Sequence, residues 1–388
     1  MWNYFRYLYI IPLKKNIVHI HRMNKIPWWK PQIGKTEYRL LKQVLESNFI
    51  NEGTLTLQFQ KEIEQLLGVK HVIAVTSATS AIFLALKSLN IGYGDEVIVP
   101  DLTFISTANA VEMTGATPIL ADIDPTNLTL DPVSFEKAIT KRTKAVIPVH
   151  VSGRGGNLSM IQHIAKEKNI FVVEDAAEGF MSKYQGKYLG TIGLLGCFSL
   201  SPAKTITTGQ GGLIATNSTK LYEKLVELKD QGRPKRGTGG DDIHMSVGYN
   251  FKFTDLQAAV GLGQLGYLDA RLKRMRKNYE IYQNLLSSIP SIKVFDFNLQ
   301  EGEIPQWIDA TSLQRNELDA FLSKNGIDCR RFWHPIHKQK PYKQKDSLFP
   351  NSTKMSRQSF WLPSAFTLTD SDIKKVCTNI KLFLLKKS

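Results

Sequence analysis

The sequence predicts an α/β protein: a large unit with a mainly parallel sheet flanked by helices, followed by a small C-terminal α+β unit. Three observations carry this prediction. Short apolar, β-branched runs alternate with helical patterns from Gly68 to Thr216, as in parallel strands joined by crossover helices on both faces of a sheet. A helical pattern then runs through 254–286, longer than a typical globular helix and suited to bridging two units. The chain's 388 residues also exceed what one ordinary core organises.

In chain order, HVIAV (71–75), EVIVP (96–100), TPILADI (117–123), KAVIPV (144–149), IFVVED (170–175) and CFSLS (197–201) read as strands. Helical patterns fall between them near Ser80–Leu89, Ser106–Thr114, Asp131–Thr140 and Met160–Lys168. Beyond the long helical pattern, IKVFDF (292–297) and QWIDA (306–310) are strand candidates, and helices are expected near 315–325 and 370–385. The expected division is an extension over 1–25, a large unit over 26–288 with an N-terminal helix and the bridging helix, and a small unit over 289–388.

Composition narrows the class. Hydrophobic residues make up 42% of the chain, ample for a core, and no apolar run reaches the ~18 residues a membrane helix needs. Cys197, Cys329 and Cys377 are spaced for neither a metal clip nor a disulfide framework, so a reducing, cytoplasmic setting without a metal is expected. The opening MWNYFRYLYIIPLKKNIVHIHR is apolar and basic, but Arg6 and Lys14 interrupt it and no small-residue cleavage site follows. It reads as an extension rather than a signal peptide, and its 22 residues are expected to be dispensable.

Fifty basic and 35 acidic residues give a net charge of +15, and seven of the basic ones fall in the first 35 positions, which hold no acid. Such charge suits a nucleic acid, a membrane surface or an anionic substrate, or is simply a solvated face. No nucleic-acid-binding motif accompanies it, so neither nucleic acid nor membrane is an expected partner.

Ligands of open parallel sheets gather outside the carboxyl ends of the strands, and three features of this sequence fall there. TSATSA (76–81) follows a strand and opens a helix, where hydroxyls and backbone N–H groups can hold a phosphate; Ser and Thr are equally ordinary helix caps there. Glu174–Asp175 ends the apolar strand IFVV, placing a carboxylate at the same rim, either as a cap or as a functional acid. Lys204 is the only Asp, Glu, Lys, Arg or His between Gly190 and Thr216, and its alternative is a lysine snorkelling to water. Together, a phosphate cradle, a strand-end carboxylate and an isolated lysine are what pyridoxal phosphate requires: an anchor, a partner for the protonated pyridine nitrogen, and a Schiff-base amine. An uncharged neighbourhood lowers a lysine's pKa and leaves more of it neutral.

At these residues the chain resembles the DegT/DnrJ/StrS-type sugar aminotransferases of the aspartate aminotransferase superfamily. The resemblance runs from about Ile26 onward through GDEVIVPDLTFISTANAVEMTGATPILADIDP (94–125), PVHVSGR (148–154), VVEDAAEGFMSKYQGKYLGTIG (172–193), FSLSPAKTITTGQGG (198–212) and VGYNFKFTDLQAAVGLGQL (247–265). It implies the pyridoxal-phosphate transferase fold type I, with Lys204 as Schiff-base lysine and proton shuttle and Asp175 facing the pyridine nitrogen. Phe104 would stack on the ring, Glu178 would lie near it where glutamine is frequent, and Ala78, Thr79 and Ser199 would bind phosphate. Asn250 would reach the phosphate held by the other subunit of a homodimer. Glycine is usual where this chain has Ala78, and arginine where it has Lys252; Lys204 itself separates the chain from the dehydratase branch, which carries histidine.

The resemblance is to perosamine-synthase-type enzymes, which implies amination at C4 of a nucleotide-linked 4-keto-6-deoxyhexose with glutamate as donor, in surface-polysaccharide or amino-sugar biosynthesis. The basic segments CRRFWHPIHKQKPYK (329–343) and QGRPKRG (231–237) would then face the nucleotide diphosphate, with His337 and Arg233 as contacts, although each also reads as a solvated loop. Amination at C3 or of another keto sugar, and a non-enzymatic regulator retaining the fold, are the competing readings.

Overall fold

A computed structural model describes residues 25–234 and 242–385. The expectation of a dispensable 1–22 and the end of the basic segment 231–237 fall outside these residues. The strands of the large unit are β1 (His71–Val75), β2 (Glu96–Pro100), β3 (Thr117–Ala121), β4 (Thr143–Val146), β5 (Phe171–Asp175), the hairpin β6 (Lys183–Tyr184) and β7 (Lys187–Tyr188), β8 (Leu195–Ser199) and β9 (Gly212–Thr216). All except the hairpin join one seven-stranded sheet in the order β1-β9-β8-β5-β4-β2-β3. Only β9 runs against the rest, pairing antiparallel with β1 and β8. The mainly parallel sheet is therefore as the sequence predicts. β9 itself is an addition: GLIAT is short and follows two glycines, so it shows little strand pattern until β1 and β8 flank it.

Helices cover both faces of this sheet: α1 (Lys35–Glu46), α2 (Thr54–Leu67), α3 (Ala78–Ser88), α4 (Ser106–Met113), α5 (Pro132–Ala138), α6 (Leu158–Glu167), α7 (Thr219–Lys229), α8 (Asp255–Leu265) and α9 (Leu268–Leu286). Helix α3 begins two residues before its sequence pattern because the Ser77 hydroxyl accepts from the Ser80 N–H and caps the first turn. The expected single helix over 254–286 is two, broken at Gly266–Tyr267. Each half buries a different face: Gly261 and Gly263 of α8 lie against Phe59 and Glu37, whereas Tyr279, Tyr282 and Leu286 of α9 enter the core of the small unit.

That unit has strands β10 (Lys293–Val294), β11 (Ile308–Thr311), β12 (Arg330–Arg331) and β13 (Ser359–Leu362), with helices α10 (Arg315–Lys324), α11 (Pro350–Gln358) and α12 (Asp370–Leu385). Its sheet is antiparallel throughout, in the order β10-β11-β13-β12. Ile26, expected at the head of the large unit, pairs with Ile327 and is buried in the small unit's core. An aromatic cluster that includes Trp28, Trp307, Phe332, Trp333 and Trp361 joins the two units together with Leu102, Val149 and Val151. No helix among the described residues is long and apolar enough to cross a membrane.

Candidate active site

Because β9 reverses direction, the connection from β8 to β9 turns back at the rim formed by the carboxyl ends of the parallel strands. Lys204 lies on that connection, Asp175 ends β5 beside it, and the start of α3 follows the carboxyl end of β1. These groups line one cleft of about 400 Å³. Ala78, Thr79, Phe104, Asp175, Glu178, Ser199 and Lys204, all singled out from the sequence, share it. Seven positions spread over more than a hundred residues thus converge at one end of the sheet.

The floor of the cleft is charged and largely buried. Lys204 Nζ lies 3.4 Å from Glu178 Oε1 and 4.5 Å from the centre of the Trp307 ring. Burial pulls the Lys204 ammonium below its usual pKa and the positive charge of Arg330 acts the same way, against the opposing pull of Glu178 and Asp175. Burial also raises the pKa of Asp175; its carboxylate accepts from the Thr107 hydroxyl at 2.8 Å and the Ala177 N–H at 3.1 Å. The neighbouring Glu174 points away from the cleft chemistry. It meets His150 at 2.7 Å and accepts N–H groups of Gly190, Ile192 and Gly193, tying down the loop before β8.

The turn carrying Lys204 is gripped from outside the large sheet. The indole N–H of Trp29 donates to the Pro202 carbonyl at 3.0 Å, that of Trp307 to Ala203 at 3.3 Å, and Arg271 donates to Thr205 at 3.0 Å. At the other end, Ala78 and Thr79 occupy the first turn of α3, where their N–H groups, unlike that of the capped Ser80, have no partner in the helix and can attract an anion. The Ser199 and Ser201 hydroxyls flank the same space. Gly212 keeps β9 tight against this turn: a Cβ there would collide with the Ser77 carbonyl and lie 2.7 Å from the Ala78 nitrogen.

This donor set fits pyridoxal phosphate. Free helix N–H groups and hydroxyls suit the phosphate, a buried strand-end carboxylate suits a ring N–H, and Phe104, 53% exposed at the cleft, offers an aromatic face. Lys204 supplies a largely buried primary amine between them.

Three of the sequence-derived positions lie elsewhere. His337 is a correction: its side chain is fully buried, with Nδ1 2.6 Å from Asp101 Oδ2 and its ring stacked on Phe349 at 4.9 Å. It ties the end of β2 to the 336–349 segment and does not line the cleft. Arg233 pairs with Asp242 at 2.7 Å. Asn250 is exposed and bridges to Asp230, and neither of these residues lines the cleft of its own chain. Conversely, Thr107, Trp307, Trp333 and Arg330 complete the site without having been singled out. Arg330 stood within the basic segment 329–343, but adjacent arginines on an edge strand point to opposite faces, and sequence alone does not say which one faces the site.

The chain matches the DegT/DnrJ/EryC1/StrS aminotransferase family over residues 31–381. It is 34% identical over 367 residues to the GDP-perosamine synthase of Escherichia coli O157:H7, spanning 94% of this chain and 100% of that protein. It is 35% identical over 380 residues to the spore coat polysaccharide biosynthesis protein SpsC of Bacillus subtilis (strain 168), spanning 93% and 97%. Among solved structures, DesV of S. venezuelae in complex with a ketimine intermediate superposes with a TM-score of 0.85 at 29% identity, covering 89% of this chain and 94% of that one.

Proposed function

The chain belongs to the DegT/DnrJ/EryC1/StrS aminotransferase family, and on that premise we propose that it moves the amino group of glutamate onto C4 of a nucleotide-linked 4-keto-6-deoxyhexose. Its likeness to proteins named GDP-perosamine synthase, from E. coli among others, supports the substrate class. The observation that carries the reading is the placement of Lys204 Nζ in the same cleft as the Asp175 carboxylate and the open first turn of α3. An amine, a carboxylate and an anion cradle are then positioned for one cofactor.

Bound pyridoxal phosphate supplies an electron sink for a carbanion at the carbon bearing the amino group. Asp175 would hold the ring N–H, the Ala78 and Thr79 amides with the Ser199 hydroxyl would hold the phosphate, and Phe104 would cover one face. Lys204 Nζ would take a proton from the donor's α-carbon and return it two bonds away, to the carbon on the other side of the amino nitrogen, a role suited to an amine whose burial favours its neutral form. Glu178, 3.4 Å from that nitrogen, would hold the ammonium in place while it carries the proton. Trp307 and Trp333 would exclude water from the small-unit side. With the keto sugar as acceptor, the same residues would run the proton movement in reverse.

The working form would be a cytoplasmic homodimer in which Asn250 of each chain completes the cleft of the other. The exposure of Asn250, away from its own cleft, is what supports that arrangement.

Incubation of the purified enzyme with glutamate and a panel of nucleotide-linked 4-keto and 3-keto sugars tests the reaction. The expected result is 2-oxoglutarate release matched by a 4-amino sugar detected by mass and NMR. Amination at C3, or 2-oxoglutarate release with none of the panel, would overturn the C4 assignment.

A further inference from the structure

Lys204 Nζ has two neighbours of different kinds. One is the Glu178 carboxylate at 3.4 Å; the other is the indole of Trp307, over whose ring the nitrogen lies at 4.5 Å from the centre. Glu178 belongs to the large unit, whereas Trp307 comes from the small one, just before β11. The indole is held on several sides. It is 3% exposed, its N–H donates to the Ala203 carbonyl at 3.3 Å, and its ring packs 5.3 Å from Trp28 and 4.9 Å from Trp361. One side chain therefore grips the backbone just before the lysine and also faces the lysine's head. An indole face attracts a cation most strongly where water is excluded, and the Lys204 side chain is 11% exposed.

We propose that Trp307 is a positioning residue of the aminotransferase reaction, its indole face seating the Lys204 ammonium whenever the lysine is free and protonated. The proposal rests on the reading of Lys204 as the reacting amine. A proton carrier needs a seat that steadies its charged form without trapping the proton. A second carboxylate in this buried floor would favour the ammonium too strongly, because opposite charges attract steeply where water is scarce. A neutral π face stabilises the cation by a smaller amount and from a defined direction. The other influences on the lysine leave room for such a contribution: burial favours the neutral amine, while Glu178 and Asp175 favour the ammonium. Trp333 lines the same cleft, but it packs on Phe332 and Trp361, and the lysine lies over Trp307. Because the same ring bonds to Ala203, the seat moves with the turn that carries the lysine, and the ammonium returns to one place in each cycle.

The test uses the full chain carrying Trp307→Leu, Trp307→Phe, or tetrafluorotryptophan in place of Trp307 alone, with Lys204→Ala as the blank. Fluorine withdraws electrons from the ring face while keeping its shape and its N–H. The first readout needs no turnover. Covalent uptake of pyridoxal phosphate by cofactor-free protein is followed by absorbance across pH; only the neutral amine attacks, so the midpoint reports the lysine's pKa. Trp307→Leu and the fluorinated ring should lower that midpoint by about 1 pH unit, speeding uptake about 10-fold on its acid side, as loss of a desolvated cation–π contact predicts. Trp307→Phe keeps a weaker face and should shift it less. In the holoenzyme, the leucine and fluorinated forms should lose about 10-fold in kcat, with the KM for glutamate and for the nucleotide sugar unchanged. The fluorinated form supplies the comparison if the leucine variant does not fold. An unmoved midpoint in the fluorinated protein overturns the proposal, and a raised KM for the nucleotide sugar beside it would make Trp307 a wall of the substrate site instead. If the wild type took up pyridoxal phosphate but aminated no keto sugar, the proposed function would fail while the midpoints still decided the role of Trp307. If it formed no covalent adduct, Lys204 would lose its role and the proposal would fall with it.

Discussion

Glu178 and Lys204 form a buried pair in the cleft floor, Oε1 to Nζ 3.4 Å, and Glu178 is held from the far side by a turn of the large unit that is itself bonded to the small unit. Its other oxygen accepts the Ser152 N–H at 2.8 Å. Ser152 sits in the left-handed region at φ 53, and its hydroxyl donates to Asp309 at 2.8 Å. Asp309 in turn meets Arg154 at 2.6 Å. A strained turn between the two units therefore sets the carboxylate that faces the lysine.

Burial lifts the Glu178 pKa from 4.5 to about 7, despite the opposing pull of Lys204 and the Ser152 N–H. A carboxyl that holds its proton longer folded than unfolded makes the native state less stable as pH rises through that window. Cofactor-free Glu178→Gln protein should match the parent near pH 4.5, gain on it up to about pH 7, and keep a constant advantage above. Urea midpoints measured across this range check it. Parallel curves would mean that Glu178 does not titrate there.

Asp175→Asn should preserve the fold and remove most of the activity. Burial disfavours the ionised carboxylate, so a neutral amide of the same shape costs the protein little and can still bond to Thr107 and Ala177. It cannot balance a positive ring nitrogen, and the expected fall in kcat is on the order of 10²- to 10³-fold. Melting temperature and kcat are measured together; retained activity would return Asp175 to a purely capping role.

Gly212→Ala should damage cofactor binding more than folding. The added methyl meets the Ser77 carbonyl and the Ala78 nitrogen, which are backbone atoms that move only if the first turn of α3 moves. Overpacking of this kind costs about 1–3 kcal/mol, and here it falls on the N–H groups assigned to the phosphate. A weaker affinity for pyridoxal phosphate by fluorescence titration, beside a modest loss in melting temperature, is the expected pattern. Unchanged affinity would place the phosphate elsewhere.

The parts legible in the sequence were those encoded locally. β1, β2 and β5 are buried, β-branched runs, and Lys204 stands out because nothing charged surrounds it for a dozen residues on either side. The small-unit wall was not legible for a physical reason. Arg330 and Arg331 look alike until β12 pairs with β13 and sends one to the cleft and the other to Asp319. His337 reads as a surface base in a basic segment, and only the fold brings it to Asp101, 236 residues earlier. Trp307 likewise gains its role from a backbone carbonyl at Ala203, which no side-chain pattern reveals.

The last prediction concerns composite sites. Thr79, Ser199 and Lys204 line the cleft of their own chain, while Asn250 is exposed and outside it. In the proposed dimer, a Lys204→Ala chain spoils the cleft that holds its own lysine. An Asn250→Asp chain spoils its partner's cleft, by setting a carboxylate against the phosphate site. Each homodimer of either variant then has two damaged sites. A hybrid of the two concentrates both lesions in one cleft and leaves the other with lysine and asparagine intact. Co-expression with random pairing makes about half the dimers hybrid, so about a quarter of wild-type activity should return where each pure variant is inactive. Dual affinity tags isolate the hybrids, whose activity per dimer should approach half that of the wild type. Verified hybrids with no recovered activity would refute the shared site, and a fully active monomer at high dilution would refute it directly.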